Sequence, residues 1–572
     1  MAQVFFYPDN KSIFVPEGVT VLEAARSAGV VIESPCNGAG TCGKCKVRLD
    51  GESMKNVLVG ESRHLSGEDL AQGYVLSCEA KIIGDIRVET INSQKNNTLK
   101  ILGKGLSFDL SINPLIKKEY SESKNRTQVF SGEEILGEEY GDTRDKIYGA
   151  VVDIGTTTLV ASIVDLKDGT EIGTASSLNP QAVYAQDVLS RIKFSSESDG
   201  LYKMYTEIIR EINRLIREIA ESNDIQRENI YEVILSGNTC MLHLCSNVNP
   251  RALGKYPYIP EISGAVYFDA SQHNIDISPF GIIYLPPIIS GYVGADITSG
   301  ILAAQLHKKK ETVLFVDIGT NGEMVIVSDG KLSATSTAAG PAFEGMNITH
   351  GMRAGHGAIE FFEINEEGKV EFKVIGDVEA TGICGSGLLD IVGELVSHGV
   401  VDKSGKFVVP ACFEDNGSGL RDGGTYENNG RNTFKERLVK QDGKWIYKIT
   451  DGVFLTQKDI RQVQLAKGAV RAGIEFLLDS KRLKSSDVDK VFIAGSFGYH
   501  LRAKSLINIG LLPEEFEGRI EFIGNTSKSG AQAFSLNKTY RKEMEEVIKD
   551  IEVLELANHK DFEKVFVKAL GF

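Results

Sequence analysis

The sequence contains two copies of one pattern, in which an apolar strand is followed by Asp-Ile-Gly-Thr and then by a second strand rich in β-branched residues. The first copy spans residues 150–161 and the second spans residues 313–325. Glycine lets such a turn approach a phosphate closely, and its N–H groups and threonine hydroxyls can donate to the phosphate oxygens. The aspartate at the strand end can hold Mg²⁺ through its waters. One copy is weak evidence, but two copies between apolar strands predict a duplicated phosphate-binding fold.

Long helical stretches follow both copies, at 201–223 and 460–478. Strands that alternate with helices predict an α/β architecture with largely buried sheets. The segment 489–498 is a strand that runs into a turn of small residues, which could make room for a nucleoside. The segment 381–387, before a helix at Leu388, is a second candidate for that role. Ordinary strand-to-helix turns would look the same, but together with the aspartate pair these segments favour nucleotide binding.

Four cysteines near the N-terminus form a separate constellation. Cys36, Cys42 and Cys45 have the spacing C-x5-C-x2-C, and Cys78 follows after a long gap. Four thiolates, three of them on one loop, suit a [2Fe–2S] cluster, which must be held from several directions. The glycines of this loop have a physical reason to be there, because the loop wraps the cluster closely. A structural zinc site is the alternative, although zinc usually collects its ligands as two separated pairs of cysteines.

Residues 1–93, which carry these cysteines, are predicted to form a small β-rich domain. Thr20 is the predicted N-cap of a helix, with Glu23 at the capping-box spacing and Gly29 at the helix end. The predicted strands are 5–7, 13–15, 46–49 and 81–83. This order of hairpin, helix and cysteine loop resembles the plant- and adrenodoxin-type ferredoxin fold, and the five-residue first gap is closer to the adrenodoxin pattern.

Length and charge exclude several classes of protein. At 572 residues the chain is too long for one hydrophobic core, so a few domains are expected. The net charge of −15 argues against nucleic acid as a partner. No membrane association is expected, because the most apolar region, 282–306, carries Pro286, Pro287 and Asp296 and is predicted to be buried core. The N-terminus lacks the features of a signal peptide and the other cysteines show no disulfide-framework spacing, so we expect a cytoplasmic location.

The two Asp-Ile-Gly-Thr hairpins and the 489–498 turn resemble the phosphate-1, phosphate-2 and adenosine motifs of the acetate kinase, sugar kinase, Hsp70 and actin superfamily, in which two lobes clamp ATP. The implied fold class is α/β multidomain, with an N-terminal β-grasp, ferredoxin-like [2Fe–2S] domain at 1–93 and two actin/Hsp70/sugar-kinase-like ATPase lobes at 147–310 and 311–572. The polar region 94–146 is predicted to be a linker or small connecting region with some local structure. A flexible tether there would let the cluster domain swing.

The whole chain resembles the ATP-dependent reductive activators of corrinoid proteins, which combine these parts. The resemblance includes the segments 336–348 and 556–562. It implies that a [2Fe–2S] cluster, ATP and Mg²⁺ are cofactors, and that a corrinoid protein in its Co(II) form is the electron acceptor and is reduced to Co(I). It also implies a low-potential electron donor, such as a ferredoxin or reductase, and a homodimer through the ATPase lobes.

The resemblance assigns roles to individual residues. The cluster ligands would be Cys36, Cys42, Cys45 and Cys78. Asp153 and Asp317 would position Mg²⁺ and the attacking water. The phosphate and nucleoside contacts would come from Gly155, Thr156, Thr157, Gly319, Thr320, Asn321, Gly385, Gly387, Gly495, Ser496 and Gly498. The loop 338–345 is a candidate surface near the corrinoid or the nucleotide, or else a tight turn that supports the second phosphate loop.

Three other functions fit parts of the sequence. An activator of 2-hydroxyacyl-CoA dehydratases or benzoyl-CoA reductases also pairs such an ATPase with iron and sulfur, but its [4Fe–4S] ligands lie inside the ATPase lobes. The others are a small-molecule kinase with a redox-sensing ferredoxin domain, and a ferredoxin with a non-hydrolysing nucleotide module. Cys240 and Cys245 are expected to be small hydrophobic residues of the core. The residues expected to be structural or adjacent to the nucleotide are His243, His350, His356 and His500.

Overall fold

The structure, a computed structural model, describes most of the chain. The described residues are 1–7, 11–28, 30, 32, 40, 43, 45–60, 64–90, 99–100, 109–185, 187–409, 434–495, 501–556 and 559–572. They fall into two compact units. The first unit is Met1–Val313, Val327–Ala334 and Glu521–Val553, and the second is Leu314–Ile326, Thr335–Ile520 and Leu554–Phe572. The two Asp-Ile-Gly-Thr turns therefore lie in different units.

Helices and strands alternate along much of the chain, as the α/β prediction requires. The helices are α1 (Val21–Ser27), α2 (Gly67–Ala71), α3 (Val188–Ser195), α4 (Gly200–Ser222), α5 (Thr239–Cys245), α6 (Ala295–Ala303), α7 (Gly385–Ser397), α8 (Gln457–Ser480), α9 (Ala503–Asn508), α10 (Thr526–Leu536), α11 (Thr539–Val547) and α12 (Phe562–Ala569). Within the described part of the chain, none of these has the length and apolar character needed to cross a membrane.

The strands belong to several sheets. Those up to residue 178 are β1 (Ala2–Tyr7), β2 (Lys11–Val15), β3 (Lys46–Leu49), β4 (Val57–Leu58), β5 (Tyr74–Leu76), β6 (Lys81–Ile82), β7 (Ile86–Thr90), β8 (Leu99–Lys100), β9 (Asp109–Leu110), β10 (Ile116–Ser121), β11 (Arg126–Ser131), β12 (Glu134–Tyr140), β13 (Tyr148–Ile154), β14 (Thr158–Asp165) and β15 (Glu171–Leu178). The remainder are β16 (Ile230–Gly237), β17 (Val266–Asp269), β18 (Ile282–Leu285), β19 (Val313–Ile318), β20 (Gly322–Ser328), β21 (Lys331–Thr337), β22 (Ala358–Ile364), β23 (Val370–Val374), β24 (Gly382–Ile383), β25 (Leu438–Gln441), β26 (Lys444–Lys448), β27 (Phe454–Thr456), β28 (Lys490–Ala494), β29 (Ile520–Gly524) and β30 (Glu552–Leu554).

The N-terminal domain has the predicted β-grasp sheet, with strand order β2-β1-β7-β3-β5. Strand β1 pairs antiparallel with β2 and parallel with β7. The capping box that precedes α1 is confirmed, since the Thr20 N–H donates to Glu23 Oε2 at 2.9 Å and the Glu23 N–H donates to Thr20 Oγ1 at 3.2 Å. Gly29, predicted at the end of this helix, lies outside the described residues.

Much of the polar region 94–146 is a folded sheet. Strands β10, β11 and β12 form an antiparallel sheet in that order. Lys118 is almost fully buried, and its Nζ donates to Glu139 Oε2 at 2.8 Å and lies 4.3 Å from the ring centre of Tyr231. The Tyr231 hydroxyl also donates to Glu139, which ties this sheet to β16. The predicted tether therefore concerns only residues before Ile116, of which 91–98 and 101–108 lie outside the described part.

Replacing Glu139 by glutamine should destabilise the first unit by about 2–3 kcal/mol, because it leaves the Lys118 ammonium buried without a counter-charge. Contact with Lys118 helps hold the pKa of Glu139 below its usual value, against the opposing effect of burial, so the effect should shrink as the pH falls and Glu139 becomes protonated. Thermal unfolding of the full-length protein measures it. The neighbouring Glu138, which is exposed and accepts from Gln128 Nε2, supplies the matched control Glu138→Gln. Equal shifts in the two variants would contradict the buried-pair explanation.

A six-stranded sheet with the order β15-β14-β13-β16-β18-β17 forms the centre of the first unit. Strands β13, β16 and β18 are parallel, so their carboxyl ends meet at one edge. Helix α4, predicted from the sequence, packs on one face through a buried stripe at helical spacing, which consists of Met204, Ile208, Ile212, Leu215 and Ile219. Helix α10 also packs against β13, where a Cβ on Gly149 would lie 2.5 Å from Ser535 Oγ.

In the second unit, strands β28, β19 and β20 are neighbours in one sheet. The second Asp-Ile-Gly-Thr copy connects β19 to β20, as the first copy connects β13 to β14, so the predicted repeat is present in both units. Two three-stranded sheets, with the orders β23-β22-β24 and β25-β26-β27, and the helices α7, α8, α9 and α12 also belong to this unit.

Candidate nucleotide and cluster sites

Asp153 lies near the carboxyl end of β13, where the sequence places it. Its Oδ2 accepts from Asn525 Nδ2 at 2.7 Å and its Oδ1 accepts from Ser527 Oγ at 2.8 Å. Asn525 is the N-cap of α10, and it also accepts from the Lys528 N–H. Burial raises the pKa of Asp153, and these two donors oppose that rise by stabilising the carboxylate.

A second carboxylate, Asp296 in the first turn of α6, interacts with Asp153. Burial first, and the charge of Asp153 second, raise the pKa of Asp296 to about 7. From the sequence, Asp296 is expected only to be part of the buried core, because its neighbours are apolar. The signal was the acidic residue itself, standing in the most apolar stretch of the chain just after Gly294. A carboxyl group with a pKa in this range can accept a proton near neutral pH, which a general base must do.

The carboxyl edge of the three parallel strands brings further polar groups to these carboxylates. Ser236, at the end of β16, lies 3.0 Å from Ser527 Oγ and 2.9 Å from Ser299 Oγ. Close backbone packing shapes this edge, since a Cβ on Gly294 would lie 2.5 Å from the Cα of Asn238. Ligands of open α/β sheets bind at such an edge.

The first turn is held tightly from within the protein. A Cβ on Gly155 would lie 2.6 Å from the Thr158 carbonyl oxygen, so the turn itself requires glycine. Thr156 and Thr157 are buried. Asn238 Nδ2 donates to Thr156 Oγ1 at 3.0 Å, and among the described residues none accepts the proton of that hydroxyl. Thr156 can therefore donate to a ligand.

The second turn is supported by the loop 338–345. Thr320 Oγ1 donates to Glu344 Oε1 at 2.6 Å, and the Gly340 N–H donates to the Thr320 carbonyl at 2.8 Å. Asn321 accepts from the Gly319 N–H through its carbonyl at 2.9 Å. The supporting role predicted for this loop thus has direct contacts, whereas a corrinoid-facing role stays a prediction.

Both glycine-rich turns proposed for the nucleoside approach other parts of this second-unit site. Gly495 has φ +120°, and a Cβ there would lie 2.5 Å from the Ile318 carbonyl oxygen and 3.3 Å from Asp317 Oδ1. In the same way, a Cβ on Gly385 would clash with the Phe343 carbonyl oxygen, and a Cβ on Gly387 would clash with the Ile359 carbonyl oxygen. Helix α7 begins at Gly385, three residues before the predicted Leu388. Ser496 and Gly498 lie outside the described residues.

Two of the four predicted cluster ligands are described, and they converge. Cys45 Sγ lies 3.2 Å from Cys78 Sγ, too far for a disulfide. Gly43 has φ +64°, and a Cβ there would lie 2.7 Å from His64 Cβ, so glycine is needed for this loop to pack. Two thiols presented together beside such a loop fit an iron–sulfur cluster. Cys36 and Cys42 lie outside the described residues. Within the part of the chain that the structure describes, no group of three metal-ligating side chains occurs.

Several side chains expected to be structural have partners inside the protein, but among the described residues none bonds to the buried His350 Nε2. Cys240 and Cys245 are buried, which raises the pKa of each thiol to about 12. His243 Nδ1 lies 2.7 Å from the Thr239 carbonyl, and its Nε2 accepts from two backbone N–H groups. His500 is outside the described residues.

Comparison with known proteins accounts for the order of these parts. A 2Fe-2S iron-sulfur cluster binding domain matches residues 5–82, the RACo middle region matches 148–309, and the C-terminal domain of RACo, the ASKHA domain, matches 311–572. The chain is 30% identical over 564 residues to the corrinoid activation enzyme RamQ of Eubacterium limosum. This match covers 94% of this chain and 93% of RamQ. The chain belongs to the RACo family.

Two further proteins resemble this RACo-family chain over most of their length. The [Co(II) methylated amine-specific corrinoid protein] reductase of Methanosarcina barkeri is 24% identical over 466 residues, with 74% of this chain and 77% of the reductase covered. A solved structure of a reductive activator for corrinoid,iron-sulfur protein is 31% identical with a TM-score of 0.73, and the match covers 100% of this chain and 98% of that one. These matches confirm the ferredoxin-like domain followed by an ASKHA ATPase domain. They do not favour the dehydratase-activator and kinase alternatives.

In this RACo-family chain, replacing Gly495 by alanine should weaken ATP binding about tenfold or more, because the new methyl group would push on the Ile318 carbonyl beside Asp317. Isothermal titration of the full-length protein with ATP measures the effect. Gly443 also has a positive φ, +77°, but has open space around its Cβ position, so Gly443→Ala is the matched control for backbone strain alone. Equal losses in the two variants would show that the contact with Ile318 does not matter.

Proposed function

We propose that this chain is an ATP-dependent reductive activator that converts the Co(II) of a corrinoid protein to Co(I). One observation carries the proposal. A pair of converging thiols and two Asp-Ile-Gly-Thr turns occur in a single chain that matches a corrinoid activation enzyme along nearly its whole length. A cluster held by thiols can store an electron. ATP bound at the Asp-Ile-Gly-Thr turns can make the transfer of that electron favourable, so the two parts are expected to act together.

The N-terminal domain would hold a [2Fe–2S] cluster through Cys36, Cys42, Cys45 and Cys78. When bound, the cluster supplies the single electron that takes Co(II) to Co(I). Cys45 is 1% exposed and Cys78 is partly exposed, so these two thiols would hold a cluster from the buried side and from the partly exposed side. Gly40 and Gly43 have positive φ angles, +70° and +64°, which let the backbone curve around a bound group.

The ATPase domain would bind Mg-ATP with the two Asp-Ile-Gly-Thr turns. Asp153 and Asp317 would position Mg²⁺, and Asp296 would accept the proton of the attacking water. Water then attacks the γ-phosphorus as the bond to the β–γ bridging oxygen breaks, which yields ADP and phosphate. The residues proposed to contact phosphates and nucleoside are Gly155, Thr156, Thr157, Gly319, Thr320, Asn321, Gly385, Gly387, Gly495, Ser496 and Gly498.

ATP can help the reduction only by binding one state of the activator–corrinoid complex more tightly than another. The favoured state would be one in which Co(II) is easier to reduce, for example through a change in cobalt coordination. A tenfold change in the reducible population needs about 1.4 kcal/mol of differential binding. We further propose that a low-potential ferredoxin or reductase supplies the electron and that two copies pair through their ATPase lobes.

Anaerobic mixing tests the proposal. Pre-reduced full-length protein is combined with a Co(II) corrinoid protein, and the visible absorption of Co(I) is followed with Mg-ATP, with Mg-ADP and without nucleotide. We expect Co(I) to accumulate with Mg-ATP only. Absence of Co(I) under all conditions would refute the proposal, whereas equal rates with and without ATP would favour a ferredoxin with a non-hydrolysing nucleotide module.

A further inference from the structure

Arg191 of α3 is a fully buried cation directly behind the first phosphate turn. Its exposure is 0%. Its Nη2 donates to the Thr156 carbonyl at 2.6 Å, and its Nε donates to the Ala185 carbonyl at 3.1 Å. Among the described residues, its other hydrogen-bond partners are Gln181 Oε1 at 3.1 Å and Met241 Sδ at 2.9 Å. Every one of these partners is uncharged.

A buried guanidinium is normally paired with a carboxylate. Within the described residues Arg191 forms no ion pair, and the carboxylate of Asp187 acts on it only through a weaker charge interaction. Burial lowers the pKa of Arg191 to about 10, so the side chain is still protonated at neutral pH. The protein therefore holds a positive charge under this turn, and no described carboxylate is in hydrogen-bond contact with it.

The contact with Thr156 also fixes the orientation of the turn. Arg191 holds the Thr156 carbonyl towards the interior. The carbonyl oxygen and the following N–H lie on opposite sides of a planar trans peptide, and the peptide after Thr156 is trans. The N–H of Thr157 is therefore directed away from Arg191. A ligand on that side would meet the field of the buried cation.

We infer that Arg191 is a positioning residue for the polyphosphate of the nucleotide, acting through the Thr156–Thr157 peptide and through its charge. This inference rests on the proposed function, since it takes ATP as the ligand of the turn. The missing counter-charge is then the anionic phosphate chain. Coulomb attraction across a few ångströms of protein is strong enough to change affinity severalfold or more.

The charge role predicts selective losses. Replacing Arg191 by methionine should weaken the binding of ATP about tenfold or more. The affinity for ADP should fall less, and the affinity for adenosine should fall by no more than about twofold. Arg191→Lys keeps the charge and should retain most of the ATP preference over adenosine. The salt dependence of ATP binding should flatten in Arg191→Met and persist in Arg191→Lys. Calorimetric titration of the anaerobic, cluster-loaded full chain, with the thermal midpoint of each variant, provides these values.

The control is Arg210→Met, which removes an exposed arginine of α4 whose ion-pair partner among the described residues is Glu207. It should leave all three affinities unchanged. If Arg191→Met folds poorly, Arg191→Gln, which can still donate to Thr156, answers the same question. Equal losses for ATP and adenosine in either variant would overturn the inference and leave Arg191 a purely structural residue. If the wild-type protein binds no ATP at all, the proposed function itself fails.

Discussion

Replacing Asp296 by asparagine should slow ATP hydrolysis about 100-fold or more while it makes the nucleotide-free protein more stable. The loss of rate follows because asparagine cannot accept a proton from the attacking water. The gain in stability follows because the pKa of Asp296 is raised to about 7 in the folded protein, from an ordinary value of 3.8. Between these two pH values the folded state binds more protons than the unfolded state, so the wild-type protein loses stability as the pH rises.

The stability difference between Asp296→Asn and the wild type should therefore be near zero below pH 4 and largest above pH 7. A midpoint shift of about 2–4 °C at pH 8 is expected. Phosphate release and scanning calorimetry over this pH range measure both effects, and wild-type hydrolysis should rise as the pH passes about 7. Asp145→Asn, at a fully exposed side chain, is the control and should change neither quantity. Unchanged hydrolysis in Asp296→Asn would remove Asp296 from the mechanism.

Local features of the fold could be predicted because they depend on neighbours in the sequence. The capping box of Thr20 and Glu23 joins groups three residues apart, and the Asp-Ile-Gly-Thr turns are set by adjacent strands. Helix α4 follows from its apolar spacing alone. For the same reason both turns could be located without any knowledge of the sheets.

The partners of these turns could not be predicted in the same way. Asn525 meets Asp153 across 372 residues, and only the completed sheet brings α10 to the end of β13. Arg191 and Asp296 become informative only when their burial is known. The sheet β10–β12 could not be predicted from the sequence, because its key buried residue is Lys118 and a lysine is expected to be exposed.

The other large expected effect concerns Cys45, a predicted ligand of the cluster. Replacing Cys45 by serine should remove the cluster and abolish Co(I) formation, because a serine hydroxyl is not a thiolate ligand and Cys45 is buried against Cys78. ATP affinity should stay within about twofold of the wild type, since the N-terminal domain has a hydrophobic core separate from that of the ATPase sheet.

Iron and sulfide content, visible absorption and Co(I) yield, each measured on anaerobic full-length protein, check the Cys45→Ser prediction. Cys245→Ala is the matched control, because it removes a buried thiol of α5 that takes no part in the proposed site. That variant should lose some stability but keep its iron, its colour and its Co(I) yield. A Cys45→Ser protein that retained full iron content and reduced Co(II) normally would show that Cys45 is not a ligand. A Cys45→Ser protein that lost iron yet still produced Co(I) with ATP would instead separate the reduction from the cluster, and the link between the thiols and the ATP turns would be lost.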